Sequence, residues 1–403
     1  MKRPGRCGRQ HRSNGFRRLF DHCTFIVMNP RHNTALGTTL IAVACLATCG
    51  TRASSQDLSL RGRLSADARH VCSGGERTVG GAIRYLPQLQ IAQVFGPGRL
   101  LDLEISTDAF VAAATHEDPE VDATLYRLKL RLGTQRTETR LGLQQLNFGP
   151  AYLLRPLRWF DILDPRDPLM LTDGVYALSV KYTAQSNASL WLWSLYGNDE
   201  PKGAELFPSV SDEPELGGRV QIPVPRGETA FTYHRRWVAG PSPFVGSYRE
   251  QRFGFDGRWD TLIGFWIEAT LTESESAAVP FDWSRLTTLG ADYTLPLGNG
   301  VHVLFESMGA AASEEPLEGG VDSWLSGLML GYSPGYRDRL TAIAFQDWDA
   351  DEYTIHATWE RSWDNFALSV SAFRQPDSIS QDGLERSRVF SGNGAQFVVT
   401  YNH

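Results

Sequence analysis

The chain has 403 residues, 42% of them hydrophobic, 11% aromatic and 21% charged, with a formal net charge of −7. That balance excludes a disordered polymer and allows one large domain or two ordinary ones. An acidic chain of this kind also argues against nucleic acid as a partner.

In chain order, the first 53 residues read as processing sequence. Residues 1–27 form a basic run that export does not need, so translation is expected to start at Met28. From there a short basic region leads into the apolar run 35–47, too short to span a bilayer. Ala53 follows Thr51 and Arg52, which puts small residues at −3 and −1 of a cleavage site. The expected organisation is 1–27 as a mis-assigned start, 28–53 as a signal peptide and 54–403 as one domain. Losing residues 1–53 removes nine Lys/Arg and one Asp, leaving 30 cationic against 45 anionic side chains, a balance of −15. Cys72 is then the last cysteine, so no internal disulfide is available.

Downstream, no helical stripe recurs. Period-2 segments do. In the stretch 126–132, Tyr126, Leu128, Leu130 and Leu132 face one way and Arg127, Lys129 and Arg131 the other. Ile263, Phe265, Ile267, Ala269 and Leu271 repeat the pattern, as do Val301, Val303 and Phe305. Near the end so do Phe366, Leu368, Val370 and Ala372, and finally Ala395, Phe397, Val399 and Tyr401. Alternating segments of ~10 residues separated by turns are the signature of an all-β transmembrane antiparallel barrel.

The connections add a second signal, because they alternate between short and long. Short ones are expected at 96–98, 133–136, 185–187, 225–228, 258–260, 298–300, 333–337 and 362–365. Long ones cover 148–171, 197–216, 238–247, 273–283, 309–320 and 374–393, with 347–352 the short exception. Tight periplasmic turns and longer outer loops produce this parity. Counting back to a first strand at 58–64 gives eighteen strands, with sixteen as the fallback. Aromatics near strand ends (Trp191, Trp193, Tyr196, Tyr233, Trp237, Trp324, Tyr332, Trp359, Trp363 and Tyr401) are expected in interfacial girdles. Ordinary β-propensity is the alternative.

Parity makes 148–171 the third outer loop. RLGLQQLNFGPAYLLRP (140–156), followed by DPRDP (164–168) and LTDGVYALSVKY (171–182), resembles the alginate-export-like family of outer-membrane porins. The resemblance covers about forty residues. It implies a loop folded into the lumen, with basic side chains on nearby walls conducting an anionic polysaccharide. Where the family has an Arg after the strand Gly, this chain has Leu143, so one implied pore cation is missing.

The loop residues support an inward course by themselves. Pro150 ends strand pairing. A short helix is expected over 154–163, placing Arg155, Arg158 and Asp161 on one face, and the two Asp-Pro steps terminate it. Leu153, Leu154, Trp159 and Phe160 are expected on the inner wall. Arg155, Arg158, Asp161, Asp164, Arg166 and Asp167 then form a charged constriction, or alternatively pair with one another to brace the loop. Arg127, Lys129, Arg131, Arg140, Lys181, Arg219, His234 and Arg236 are expected to line a basic half of the lumen, because Lys or Arg facing lipid would cost ~2–4 kcal/mol. Glu268, Glu306 and Glu360 would face them across the lumen; salt-bridged packing is the alternative.

Asp161, Asp164, Asp167 and Asp173 are oxygen ligands of calcium type, but their spacing matches no known loop, and no metal is assigned. The histidines His70, His116, His234, His302, His356 and His403 sit in no catalytic motif, so neither an enzyme nor a cofactor is expected. The expectation is a passive channel in the outer membrane of a Gram-negative bacterium, carrying small polar or anionic solutes or an exported polysaccharide. Its partners would be outer-membrane lipid, lipopolysaccharide and the barrel-assembly machinery. A barrel enzyme and a purely structural barrel are the competing readings.

Overall fold

A computed structural model describes residues 56–115, 117–240, 245–276, 281–376 and 392–403. The expected start, signal peptide and His116 lie outside them.

Eighteen antiparallel strands follow one another round a ring. They are β1 (Gln56–Ser73), β2 (Glu76–Val94), β3 (Leu100–Ala114), β4 (Glu120–Gly133), β5 (Thr137–Gln144), β6 (Val175–Thr183), β7 (Ser189–Leu195), β8 (Glu215–Val224) and β9 (Gly227–Val238). The second half comprises β10 (Tyr248–Asp260), β11 (Gly264–Ser274), β12 (Trp283–Leu295), β13 (Val301–Ser313), β14 (Ser323–Tyr332), β15 (Asp338–Asp347), β16 (Glu352–Ser362), β17 (Phe366–Arg374) and β18 (Asn393–Asn402). Pairing of β1 with β18, from Arg63 opposite Asn402 to Cys72 opposite Asn393, closes the barrel and leaves no free edge.

The fold class and strand count are as the periodicity implies. The first strand is much longer than 58–64, and its hairpin with β2 turns on Gly74 and Gly75, both with positive φ. The β10–β11 turn falls at 261–263 rather than 258–260, because Arg258, Trp259 and Asp260 still pair within the ladder.

Alternation sorts the side chains. Leu141, Leu178, Leu192, Phe231, Phe265, Phe305 and Phe397 point outward and are exposed. Such a continuous apolar exterior is what hydrocarbon solvates and water does not. The other face carries the buried polar groups, among them Arg219, Glu268, Thr288 and Glu306. One bulge interrupts the scheme: Arg127 opposes Ser106 and Leu125 opposes Thr107, leaving Tyr126 as the extra residue. Tyr126 therefore leaves the outward row, and the Arg127 guanidinium lies 3.9 Å from its ring centre.

Two expected placements are corrected by the register. Leu143 pairs with Leu128 and Tyr176 in the outward row and is itself covered, 7% exposed, so a cation at position 143 would not reach the lumen. Trp193 lies on the inward face and is 4% exposed, and Trp191 packs beside it rather than in a girdle. A run alternating Trp with Leu does not reveal which set faces in.

Candidate functional site

Between β5 and β6 the chain runs for thirty residues, 145–174, inside the barrel. Its apolar side chains drive this course. Leu146, Phe148, Leu157, Trp159 and Phe160 form one buried cluster with Val175, Ala177, Trp193 and Leu195 of β6 and β7. Phe148 stacks on Trp193 with ring centres 5.6 Å apart, and Phe160 meets the His234 ring edge-on at 4.9 Å. Burying each large side chain is worth roughly 1.5–3 kcal/mol, so the loop belongs to the interior rather than to solvent. Further along, Ala151 packs with Trp266 and Leu304, and Leu153 reaches β14, where Gly327 leaves it room.

The expected helix over 154–163 does not form. Pro156 contributes no N–H, and neighbouring amides are engaged by the barrel wall instead of by a helical ladder. Ala151 N and Leu157 N donate to Glu268 at 3.0 and 2.6 Å. Tyr152, Leu153 and Leu154 donate to Glu306 at 2.7, 2.8 and 2.6 Å. Thr288 donates to the Leu154 carbonyl at 2.8 Å. Glu268 and Glu306 are thus buried loop anchors, not an acidic wall facing water.

The charged residues of the loop fall into two groups. Arg155 is paired with the fully buried Asp161, its second amino group lying 3.0 Å from the carboxylate. Arg166 clasps Asp164 at 2.7 Å. Burial alone would raise the Asp164 carboxyl, but the Arg166 hydrogen bonds and charge outweigh it and hold the group below its usual pKa. Asp167 is spent on the amides of Leu169 and Leu171. These five residues brace the loop. Arg158 differs: among the described residues it has no ion pair, and its Nε is buried without a hydrogen-bond partner. No group of three or more metal-ligating side chains converges among the described residues.

A second segment, 196–214, also enters the barrel. Lys202 bonds Ser209 at 2.9 Å, Glu205 at 3.1 Å and Glu215 at 3.0 Å. Arg236 bonds Glu205 and Glu250, and Arg252 bonds the same two carboxylates. Three cations thus meet three anions away from water, which is the condition for tolerating charge there. Trp193 Nε1 donates to His234 Nδ1 at 3.3 Å, which leaves Nε2 to donate to Glu215 at 3.0 Å. His234 is 0% and Arg236 2% exposed, so these two expected pore-lining residues belong to packing. Sequence alone gave no signal for this segment, because its partners are scattered over β8, β9 and β10.

The opposite wall is open. Arg127, Lys129, Arg131 and Arg140, four of the expected lining residues, border a cavity of about 260 Å³ together with Glu104, Gln145 and Asn147. Lys129 pairs with Glu104 at 2.7 Å, Arg131 with Asp102 and Glu138, and Arg140 with Glu138 at 2.5 Å. Arg127 donates to the Thr172 carbonyl at 2.8 Å, tying the far end of the loop to this wall. Lys181 lies at some remove, its ammonium 4.2 Å from the Trp191 ring centre.

The fold is a porin-type antiparallel barrel closed at eighteen strands. It is similar to that of OccAB4 from Acinetobacter baumannii, with a TM-score of 0.54 at 9% identity over 87% of this chain and 98% of that one. OccK5 (OpdH) from Pseudomonas aeruginosa gives 0.52 at 11% identity over 86% and 98%. OccAB3 from Acinetobacter baumannii gives 0.51 at 9% over 86% and 99%. No protein-family model matches the sequence, and no curated protein matches it as a relative.

Proposed function

We propose that this protein is a non-enzymatic outer-membrane channel through which small polar solutes pass, anions preferentially. The observation that carries the reading is the basic cavity left between the inward loop and the β3–β5 wall. An apolar exterior supports residence in a bilayer, with lipid and lipopolysaccharide as surroundings and the barrel-assembly machinery as the route in. Fixed cations beside a narrow water-filled space raise the local anion concentration. Small solutes fit this reading better than an exported polysaccharide, because the loop is tied to several strands across the barrel. Of the loop charges, the paired residues are assigned to bracing.

Refolded protein in a planar bilayer should give discrete conductance steps with a reversal potential on the anion side. Replacing Lys129 and Arg131 by Ala should move that potential toward cations. A folded barrel that passes no current would sink the channel reading in favour of a structural barrel.

A further inference from the structure

Resting on the channel reading above, we infer that Glu268 and Glu306 are the positioning residues that set the channel's aperture. They do so by holding the inward loop through its backbone. Residues 151–157 carry six N–H groups, since Pro156 has none, and five of the six donate to these two carboxylates. All four carboxylate oxygens act as acceptors. On Glu268, Oε2 takes Ala151 and Oε1 takes Leu157. On Glu306, Oε1 takes Tyr152 and the Trp266 indole at 3.0 Å, and Oε2 takes Leu153 and Leu154.

The wall is shaped for this approach. Glu306 pairs across the sheet with Gly290 on one side and Gly327 on the other. A side chain at Gly290 would collide with the Trp266 indole, and one at Gly327 would press on Leu153 at 3.0 Å. Gly149, at φ 95°, brings the loop down onto Glu268, where a Cβ would collide with the carboxylate. Both carboxylates are 0% exposed. Apart from the Trp266 indole, every hydrogen bond described for them comes from the loop backbone.

The specific requirement is for two acceptor oxygens on each residue. Glutamine keeps size and shape but turns one oxygen into a donor, and in either orientation that donor faces an N–H of the loop. Glu268→Gln and Glu306→Gln therefore test position rather than packing. Folded barrels, selected by heat-modifiable gel mobility, are compared with wild type and with Glu314→Gln on an exposed outer loop. The double variant should show single-channel conductance raised about twofold, noisier open-channel current and weaker anion preference. Loop release is read without any current by trypsin cleavage at the Arg158–Trp159 bond, which the wild type should resist.

Wild-type conductance, noise, selectivity and trypsin resistance in the double variant would overturn the assignment. So would a lower unfolding temperature with those four readouts unchanged, since that is a purely structural role. If the wild type passes no current, the channel reading falls on that result, and the anchoring role is judged by trypsin alone.

Discussion

Replacing Glu104 by Gln removes the carboxylate that holds Lys129 at 2.7 Å beside the basic cavity. Around that cavity Arg127, Lys129, Arg131 and Arg140 meet Asp102, Glu104 and Glu138, so four cations face three anions and the local balance is +1. The substitution makes it +2. A monovalent ion about 6 Å away feels one added charge by ~0.7 kcal/mol in bulk water. Roughly half of that survives at 0.1 M salt, where the Debye length is ~10 Å, and about a tenth at 1 M, where it is ~3 Å. The sign is opposite for anion and cation, so their permeability ratio should rise about fourfold at 0.1 M and less than about 1.5-fold at 1 M. Reversal potentials under a KCl gradient at the two ionic strengths measure both values. No shift at the lower one, or equal shifts at both, would refute selection by fixed charge at this wall.

Three further outcomes are expected. Leu143→Arg puts a cation at a covered position of the outward row and should destabilise the barrel in lipid vesicles by up to ~2–4 kcal/mol, seen as a lower denaturant midpoint, while leaving ion selectivity unchanged. Trp159→Ala empties a site between Phe148, Phe160 and His234. About 3–5 kcal/mol of loop docking is lost, so heat-modifiable mobility persists while trypsin gains access to the loop. Arg219→Ala strands Asp256, its buried partner at 2.5 Å, and should cost about 3–5 kcal/mol. Asp256→Asn in the same chain should recover more than half of that in a double-mutant cycle, and full additivity of the two losses would show that the pair is not coupled.

The barrel was legible in the sequence because hydrocarbon outside and water inside impose a two-residue period on every strand. Turn parity then supplies the strand count. That the loop turns inward was legible too, from Trp159 and Phe160 in a segment too apolar for solvent. How the loop is held was not, since its anchors at Glu268 and Glu306 look in sequence like any inward polar residue. Leu143 was assigned to the wrong face because a resemblance carries residue types, whereas register assigns faces. His234 and Arg236 alternate with outward aromatics as lining residues would. The β7–β8 connection buries Arg236 against Glu205 and the inward loop buries His234 against Phe160, and no local pattern encodes either contact.

The loop's anchors also bear on the order of assembly. Ala151 finds its acceptor 117 positions further along the chain, and Tyr152 finds its own 154 positions on. Neither acceptor exists while only the first half of the polypeptide has emerged, and contacts so far apart in sequence form late. The aromatic part of the loop can therefore dock on β6 and β7 first, and the 151–157 backbone locks in only after β13 has joined the wall.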